Sequence, residues 1–393
     1  MHTSSPKKVV FLVHHSAGVS GAEISLELMA RSLNKDRFRV MVLLPAHGSR
    51  LHALFENSNV EILPVPFLRM KHTRNPFRLL GYLANIIYCS VYVFLLIKKY
   101  KAALLHANTT HARIYAHLPC LFAGVPCVWH IRDYVPAVVP VAMLARSSAG
   151  VVSISAAVVP RALAASARTA IIPNAVAKHP VAVAGDRLSF RERHGLPEDI
   201  LLVAQVGQLI PWKNHCDLVL TAAQVVKVFT RVRFVIIGED IFGEYPDYKD
   251  QLLGMVRDHG LEDYFLFTGY DTQAAQTLAE MDILFHPAVR EPFGRVLAEA
   301  MAAGKPVIAV RSGGPAEIIV DGITGFLAEP HDISSLTSLL LALLQSRDLR
   351  VATGLMAKRH AEACYNIDRH INAIEKMYHQ ILSDEYYRER LAS

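Results

Sequence analysis

Charge is scarce in this chain. Asp, Glu, Lys and Arg make up 19% of its 393 residues, against 52% hydrophobic. So little charge excludes a disordered, solvated polymer and points to an ordered protein with apolar surface somewhere. Cysteine is scarce as well. The five residues Cys89, Cys120, Cys127, Cys216 and Cys364 form no CxxC pair, and an odd number suits a reducing compartment better than a disulfide framework. There is no internal repeat and no low-complexity tract. A helix-turn-helix, a zinc finger and an aromatic-basic RNA signature are all missing. With a net charge of +6 and a pI near 9.0, the chain can still take anionic partners. Nucleotide phosphates and acidic lipid headgroups are expected, and no nucleic acid.

Other absences narrow the chemistry. Val9 to Val13 is too short for the hydrophobic region of a signal peptide and reads as a first strand, which predicts a cytoplasmic protein. Nineteen histidines include no HExxH spacing, so His14-His15, His106 and His111 are read as non-ligating, and no metal is expected. The first loop, His14 to Glu23, follows a strand and opens a helix as a phosphate loop would. Its glycines Gly18 and Gly21 are spaced GxxG rather than GxGxxG, and the second strand runs into Pro45 without a ribose-binding Asp. That disfavours a nicotinamide enzyme and leaves a plain glycine turn as the other reading.

What is present is regular alternation. The first half reads as strands Lys8 to Val13, Arg39 to Leu44, Val60 to Leu63, Ala103 to His106, Cys127 to His130, Val151 to Ser153 and Thr169 to Ile172. Helices lie between them at Gly21 to Leu33, Ser49 to Asn57, Pro76 to Lys99, Thr110 to Phe122, Ala137 to Arg146 and Ala156 to Ala165. The order breaks between Ala175 and Asp199 and then resumes. The second set of strands is Leu202 to Val206, Arg233 to Ile237, Phe265 to Thr268, Ile283 to His286 and Val307 to Val310. Two helical stretches, Ile333 to Gln345 and Asp368 to Leu391, close the chain. The fold class predicted is α/β, with two Rossmann-like doubly wound parallel-sheet domains facing a central cleft. Their expected limits are 1–178 and 199–370, with a C-terminal helix in 371–393 packing back on the first domain.

Leu79 to Ile97 carries no charge over about 19 residues, near the ~20 that span a bilayer. A strand of the same sheet is predicted on either side, so a single crossing would split the sheet. Two readings remain, a core helix and a helix docked on a membrane surface. Arg69, Lys71, Arg74 and Arg78 precede it, Lys98, Lys99 and Lys101 follow it, and Tyr82, Tyr88 and Tyr92 are interspersed. These favour an anionic headgroup region along 69–101.

Glu291-Pro-Phe-Gly294 precedes a helix that carries Glu299 and stops at Gly304 before Pro306. Unpaired N–H groups at that helix start suit a phosphate, and two nearby carboxylates suit hydroxyls. A sugar nucleotide has both. The alternative is a capping Glu291 and a solvated Glu299. In the second domain Gly207-Gln208 follows the first strand, and Lys213 stands where the next helix begins. By itself Lys213 reads as a surface lysine; its position in the fold, beside helix amides, favours one that holds a diphosphate.

Taken together, several stretches resemble the family-4 glycosyltransferases of GT-B architecture. They are Gly21-Ala22-Glu23, Trp129 to Asp133, Ile172-Pro173-Asn174, Gly207 with Lys213-Asn214, and Val235 to Gly238. Phe267-Thr268-Gly269, Glu291 to Gly294 with Glu299, Gly313 to Glu317, and Asp321 to Leu327 complete them. The resemblance implies transfer of a sugar, with retention, from a nucleotide diphosphate-sugar to a lipid-linked or glycan acceptor at the inner face of the cytoplasmic membrane. It implies no resident cofactor. Glu299 would hold the ribose, Lys213 the diphosphate and Glu291 the sugar hydroxyls, with Phe293, Gly294 and Arg295 offering amides. Gly207, Gln208, Gly238, Thr268 and Gly269 would complete the donor site. His130 would face the sugar and the acceptor, and Gly18, Gly21, Glu23 and Arg132 would form an acceptor or phosphate loop. Family members commonly have Arg where this chain has Gln208, so one positive charge is missing. A sugar-nucleotide epimerase and a degenerate sugar-nucleotide binding module are the alternatives on the same fold.

Overall fold

A computed structural model of the protein describes residues 6–69, 73, 75–166, 168–177 and 188–383. The chain divides into two compact units, one of Met1–Ala175 with Ile367–Ser393 and one of Val176–Asn366. The breaks therefore fall at 175/176 and 366/367 rather than at the expected 178, 199 and 370. Residues 178–187 of the segment expected as a linker lie outside the described residues. Its end belongs to the second unit, where a short helix, Phe190–His194, is started by a Ser189–Glu192 capping box.

The first unit is built on a seven-stranded parallel sheet in the order β3-β2-β1-β4-β5-β6-β7. Its strands are β1 (Lys8–Val13), β2 (Phe38–Pro45), β3 (Glu61–Val65), β4 (Leu104–Ala107), β5 (Cys127–Ile131), β6 (Gly150–Ser153) and β7 (Thr169–Ile171). Successive side chains of β1 serve opposite faces: Val10 and Leu12 enter one apolar layer, Phe11 and Val13 the other. That is why the strands read as unbroken apolar runs. The helix Ile367–Ser383 covers the first of these layers with Ile371, Ile374, Tyr378 and Ile381, spaced on one helical face. The expected continuation of that helix to Leu391 runs outside the described residues.

Two predicted helices of this unit are shorter than expected, each for the same reason. Ala137 to Arg146 is helical only over Val141–Arg146, after Pro140. Ala156 to Ala165 reduces to a 3-10 turn, Arg161–Leu163, after Pro160. Proline opens a helix readily, but inside one it removes a backbone hydrogen bond and crowds the preceding turn.

The long apolar helix spans Pro76–Tyr100, capped by the Asn75 side chain on the Phe77 and Arg78 N–H groups. Cys89, Val93 and Ile97 are buried against the second apolar layer. On the opposite stripe Phe77, Leu80, Leu83, Ile87, Val91 and Leu95 are each more than half exposed. β3 before it and β4 after it lie in one sheet, so the helix does not thread through a bilayer. Of its expected basic flank, Lys71 and Arg74 lie outside the described residues.

The second unit has a six-stranded parallel sheet in the order β10-β9-β8-β11-β12-β13. These strands are β8 (Leu201–Val206), β9 (Val232–Ile237), β10 (Phe265–Gly269), β11 (Ile283–His286), β12 (Val307–Val310) and β13 (Phe326–Ala328). The last strand was not anticipated, being three residues long behind a glycine-containing turn. An 18-residue helix, Arg347–Cys364, was also not anticipated. Its buried face is Thr353, Gly354, Ala357 and Ala361, so it carries no apolar stripe. Those small side chains admit close contact. A Cβ on Gly354 would lie 2.1 Å from the Gly304 carbonyl oxygen.

Candidate functional site

In the second sheet β8 is followed in sequence by β9 on one side and β11 by β12 on the other. The carboxyl ends of β8 and β11 therefore form the switch point where ligands of open α/β sheets bind. After β8 the chain turns through Gly207 and Gln208, and after β11 it turns through Pro287 to Glu291. Three neighbouring strand ends are tied in a row, Gly207 N–H to the Ile237 carbonyl (3.0 Å) and Gly238 N–H to the Gly269 carbonyl (2.8 Å). A Cβ on Gly238 would lie 1.8 Å from the Gly207 oxygen, so only glycine permits these turns to touch. Thr268 donates to the Ile236 carbonyl at 3.4 Å, which places Gly207, Gly238, Thr268 and Gly269 along one edge.

The charged centre is Glu291, a residue only 7% exposed. Its Oε2 accepts from Lys213 Nζ at 2.5 Å and from His286 Nε2 at 3.2 Å. Burial pushes the Glu291 pKa up, but the Lys213 charge and the His286 bond outweigh it and hold the carboxyl far below the usual range. His286, whose pKa burial lowers, donates as a neutral ring. Lys213 Nζ sits 4.4 Å above the Trp212 ring, and its backbone carbonyl accepts from Gln205 Nε2 at 2.8 Å. Sequence reading had given Lys213 and Glu291 separate ligands. In the structure they are each other's partner.

The helix Arg295–Ala302 begins at Gly294, in the left-handed region, and ends as anticipated at Gly304. Gly304 N–H bonds the Met301 carbonyl and Lys305 N–H bonds the Ala300 carbonyl, both at 2.9 Å, the paired bonds of a Schellman stop. At the start, the Phe293 and Gly294 N–H groups have no acceptor among the described residues. The Gly314 N–H holds the Glu291 carbonyl at 2.8 Å and fixes this loop. Glu299 accepts from Arg295 Nη2 at 2.7 Å, so this guanidinium is engaged by its own helix.

His286 and Gln205 were not singled out from sequence, and Gly314 only as part of the Gly313 to Glu317 stretch. For His286 the signal was available, an imidazole at the last position of a strand beside a switch point.

In the first sheet the switch lies between β1 and β4. His14 and Asn108 follow those strands and Arg132 follows β5. Glu23 does not face outward from the glycine loop. It is 2% exposed, accepts from His14 Nε2 at 2.6 Å, and caps its own helix through the Ser20 N–H (2.8 Å) and Ser20 Oγ (2.7 Å). Burial raises its pKa, and the His14 contacts and Ser20 bond more than reverse this. Gly18 stays in the loop, and Gly21, the first helical residue, accepts from Ser25 Oγ at 2.8 Å.

Arg132 likewise points inward. Its Nε donates to Asn108 Oδ1 at 2.8 Å, its Nη1 to Asn174 Oδ1 at 2.5 Å, and its Nη2 lies 3.3 Å from His130 Nδ1. The His130 ring is fully buried, and its Nε2 has no partner among the described residues. Asp133 accepts from the Tyr134 N–H at 2.8 Å. His15 stacks on His111 with ring centroids 4.8 Å apart. No three His, Cys, Asp or Glu side chains are gathered as metal ligands among the described residues.

Residues 186–360 match the family described as Glycosyl transferases group 1. The chain is 28% identical over 200 residues to N-acetyl-alpha-D-glucosaminyl L-malate synthase of Bacillus anthracis, covering 51% of each protein. It is 31% identical over 185 residues to D-inositol 3-phosphate glycosyltransferase of Stackebrandtia nassauensis, covering 45% of this chain and 41% of that protein. It thus matches about half the length, or less, of these relatives. Among solved structures, HepE of Anabaena in complex with UDP-glucose is similar at TM-score 0.77 and 23% identity, over 95% of this chain and 99% of HepE. Sucrose-phosphate synthase from Thermosynechococcus elongatus is similar at TM-score 0.76 and 18% identity, over 96% of this chain and all of that one (100%). Residues 186–360 thus carry the sequence of the group 1 glycosyl transferases, and the two parallel-sheet units have the GT-B fold of HepE and of sucrose-phosphate synthase.

Proposed function

We propose that this protein transfers a sugar from a uridine diphosphate-sugar to a lipid-linked or glycan acceptor, at an anionic membrane surface on the cytoplasmic side. The observation that carries the transfer is the buried Lys213–Glu291–His286 centre at the β8/β11 switch, next to the open N–H groups of Phe293 and Gly294. In the reaction the bond from the anomeric carbon to the donor diphosphate breaks, and a bond from that carbon to the acceptor oxygen forms. The acceptor proton leaves with the nucleotide diphosphate. Charge grows on the departing phosphate oxygens, where Lys213 and the oriented amides stabilise it. The uridine choice is supported by HepE, solved with UDP-glucose.

Glu291 is ionised and its Oε2 is already engaged by two donors, which makes it a poor nucleophile and a good acceptor for sugar hydroxyls. Retention then favours attack on the same face as the leaving group, with the phosphate itself taking the proton. Glu299 and the strand-end glycines would hold the nucleoside.

Membrane docking is supported by the exposed stripe Phe77, Leu80, Leu83, Ile87, Val91 and Leu95. Exposed Arg78, Lys98, Lys99 and Lys101 flank it, each worth about 1 kcal/mol near an anionic surface. The test is the purified protein with isotope-labelled UDP-sugars and a membrane extract, followed by cosedimentation with anionic vesicles. Label on an extracted lipid or glycan is expected. Altered free donor would indicate an epimerase, and binding without turnover a degenerate module. A protein that ignores anionic vesicles, or sediments equally after Leu83→Glu with Ile87→Glu, would remove the docking surface.

A further inference from the structure

A chain of buried hydrogen bonds in the first unit runs from the C-terminal helix to the His130 ring. Tyr378 Oη lies 2.7 Å from His106 Nδ1, and His106 Nε2 lies 3.0 Å from His130 Nδ1. All three side chains are fully buried. The protons along this chain can be placed from the donor inventory alone. Arginine only donates, so Arg132 Nη2, at 3.3 Å, requires a lone pair on His130 Nδ1. Burial, the Arg132 charge and the neighbouring His106 and His370 keep His130 neutral, and its single ring proton therefore sits on Nε2. His106 Nε2 must then donate to His130. His106 is also kept neutral by burial, so its Nδ1 is the acceptor and the Tyr378 hydroxyl is the donor. Every bond runs one way, from Tyr378 through His106 to His130, and ends at a His130 Nε2–H that has no partner among the described residues.

We infer that Tyr378 and His106 are positioning residues that, with Arg132, lock His130 in the Nε2–H tautomer, so that His130 offers a hydrogen-bond donor and not a base to its ligand. The acceptor it suits is a sugar hydroxyl oxygen or a phosphate oxygen. This also gives the helix Ile367–Ser383 a part in the site of the first unit, since its Tyr378 starts the chain. The alternative proton order would set an Nδ1–H of His130 against the Arg132 N–H, donor against donor. Any effect on turnover rests on the sugar-transfer reading above, but the tautomers do not depend on it.

The test is nitrogen NMR of the histidine rings in the full-length protein, with assignment by single His-to-Asn variants. In the wild type, His106 and His130 are both expected as Nε2–H across neutral pH. Tyr378→Phe removes one hydroxyl, and His106 is expected to become a mixture of tautomers. Donor turnover is expected to fall about fivefold in kcat, the worth of one neutral hydrogen bond, with little change in donor KM. In that background His106→Gln, whose amide N–H can still donate to His130, is expected to keep His130 in the Nε2–H tautomer. His130 protonated on Nδ1 in the wild type would overturn the inference, as would rings that do not change in Tyr378→Phe. If Tyr378→Phe does not fold, His106→Gln alone decides, because His130 must remain Nε2–H in it. A wild type that transfers no sugar would sink the functional reading and leave the tautomer result standing on its own.

Discussion

Removing the lysine from the Lys213–Glu291 pair should cost far more than an ordinary surface substitution. Their side chains are 13% and 9% exposed, and the pair is bonded at 2.5 Å. Lys213→Met keeps the bulk of the side chain and leaves Glu291 buried, opposed only by His286. Stranding one charge of a buried pair destabilises by about 3–5 kcal/mol. Glu291→Gln should cost less, about 1–2 kcal/mol, because the amide still accepts from His286 and the lysine can remain over the Trp212 ring. The double variant removes both charges, so its cost should fall about 2–3 kcal/mol short of the sum of the singles. The chain has two tryptophans. In a Trp129→Phe background Trp212 reports the unfolding of the second unit by itself, and urea titration gives each free energy. The pH dependence has a definite sign. In the wild type the Glu291 pKa is depressed below its unfolded value, so its contribution is complete above about pH 4.3 and is lost as pH falls further. In Lys213→Met burial raises the same pKa above the unfolded value, and the deficit against wild type should shrink from pH 7 towards pH 5. Costs that add to within about 0.5 kcal/mol, or a deficit that does not change with pH, would refute the buried pair.

Glu299→Ala removes a carboxylate from an i,i+4 pair on a helix, so the loss of stability should be about 0.5 kcal/mol or less. Calorimetry with UDP should nevertheless show affinity reduced at least tenfold, as for a lost hydrogen bond to a charged group. Unchanged affinity would remove Glu299 from the donor site. Gly238→Ala drives a methyl into the Gly207 carbonyl and should separate the β8 and β9 turns, with a loss of about 3 kcal/mol and of UDP binding together. Gly354→Ala forces the helix Arg347–Cys364 away from Gly304, and should lower the melting temperature while leaving UDP affinity within about twofold at a temperature where the variant is folded. A wild-type melting curve would show that contact to be looser than the structure has it.

The sheets were legible because every strand of a doubly covered parallel sheet is a local apolar run, and runs such as Ile283–His286 and Val307–Val310 can be bounded by eye. Helix Arg347–Cys364 was not, because close packing replaced the apolar stripe with Gly354, Ala357 and Ala361. The same division separates the site residues. Glu291, Glu299, Gly294 and Lys213 announce themselves through neighbours in sequence, a glycine turn and a helix start. What a side chain touches is set by strands that meet only after folding. Nothing local distinguishes a Lys213 free for a diphosphate from one already bonded to Glu291, 78 residues away. Nor does the spacing of His106, His130 and Tyr378 reveal that 272 residues of sequence separate the two partners of a 2.7 Å hydrogen bond. Glu23 in the glycine loop and Arg132 after β5 were therefore read as facing ligands, and both face the interior instead. The physical reason is cost. A buried carboxylate or guanidinium must be matched donor for acceptor, and at a switch point the matching groups arrive from several strand ends at once. A site that brings buried charge to the ends of β1, β4 and β5 has to use part of its chemistry to satisfy itself. What remains unsatisfied, such as the Nε2 of His130, is where a ligand can bind.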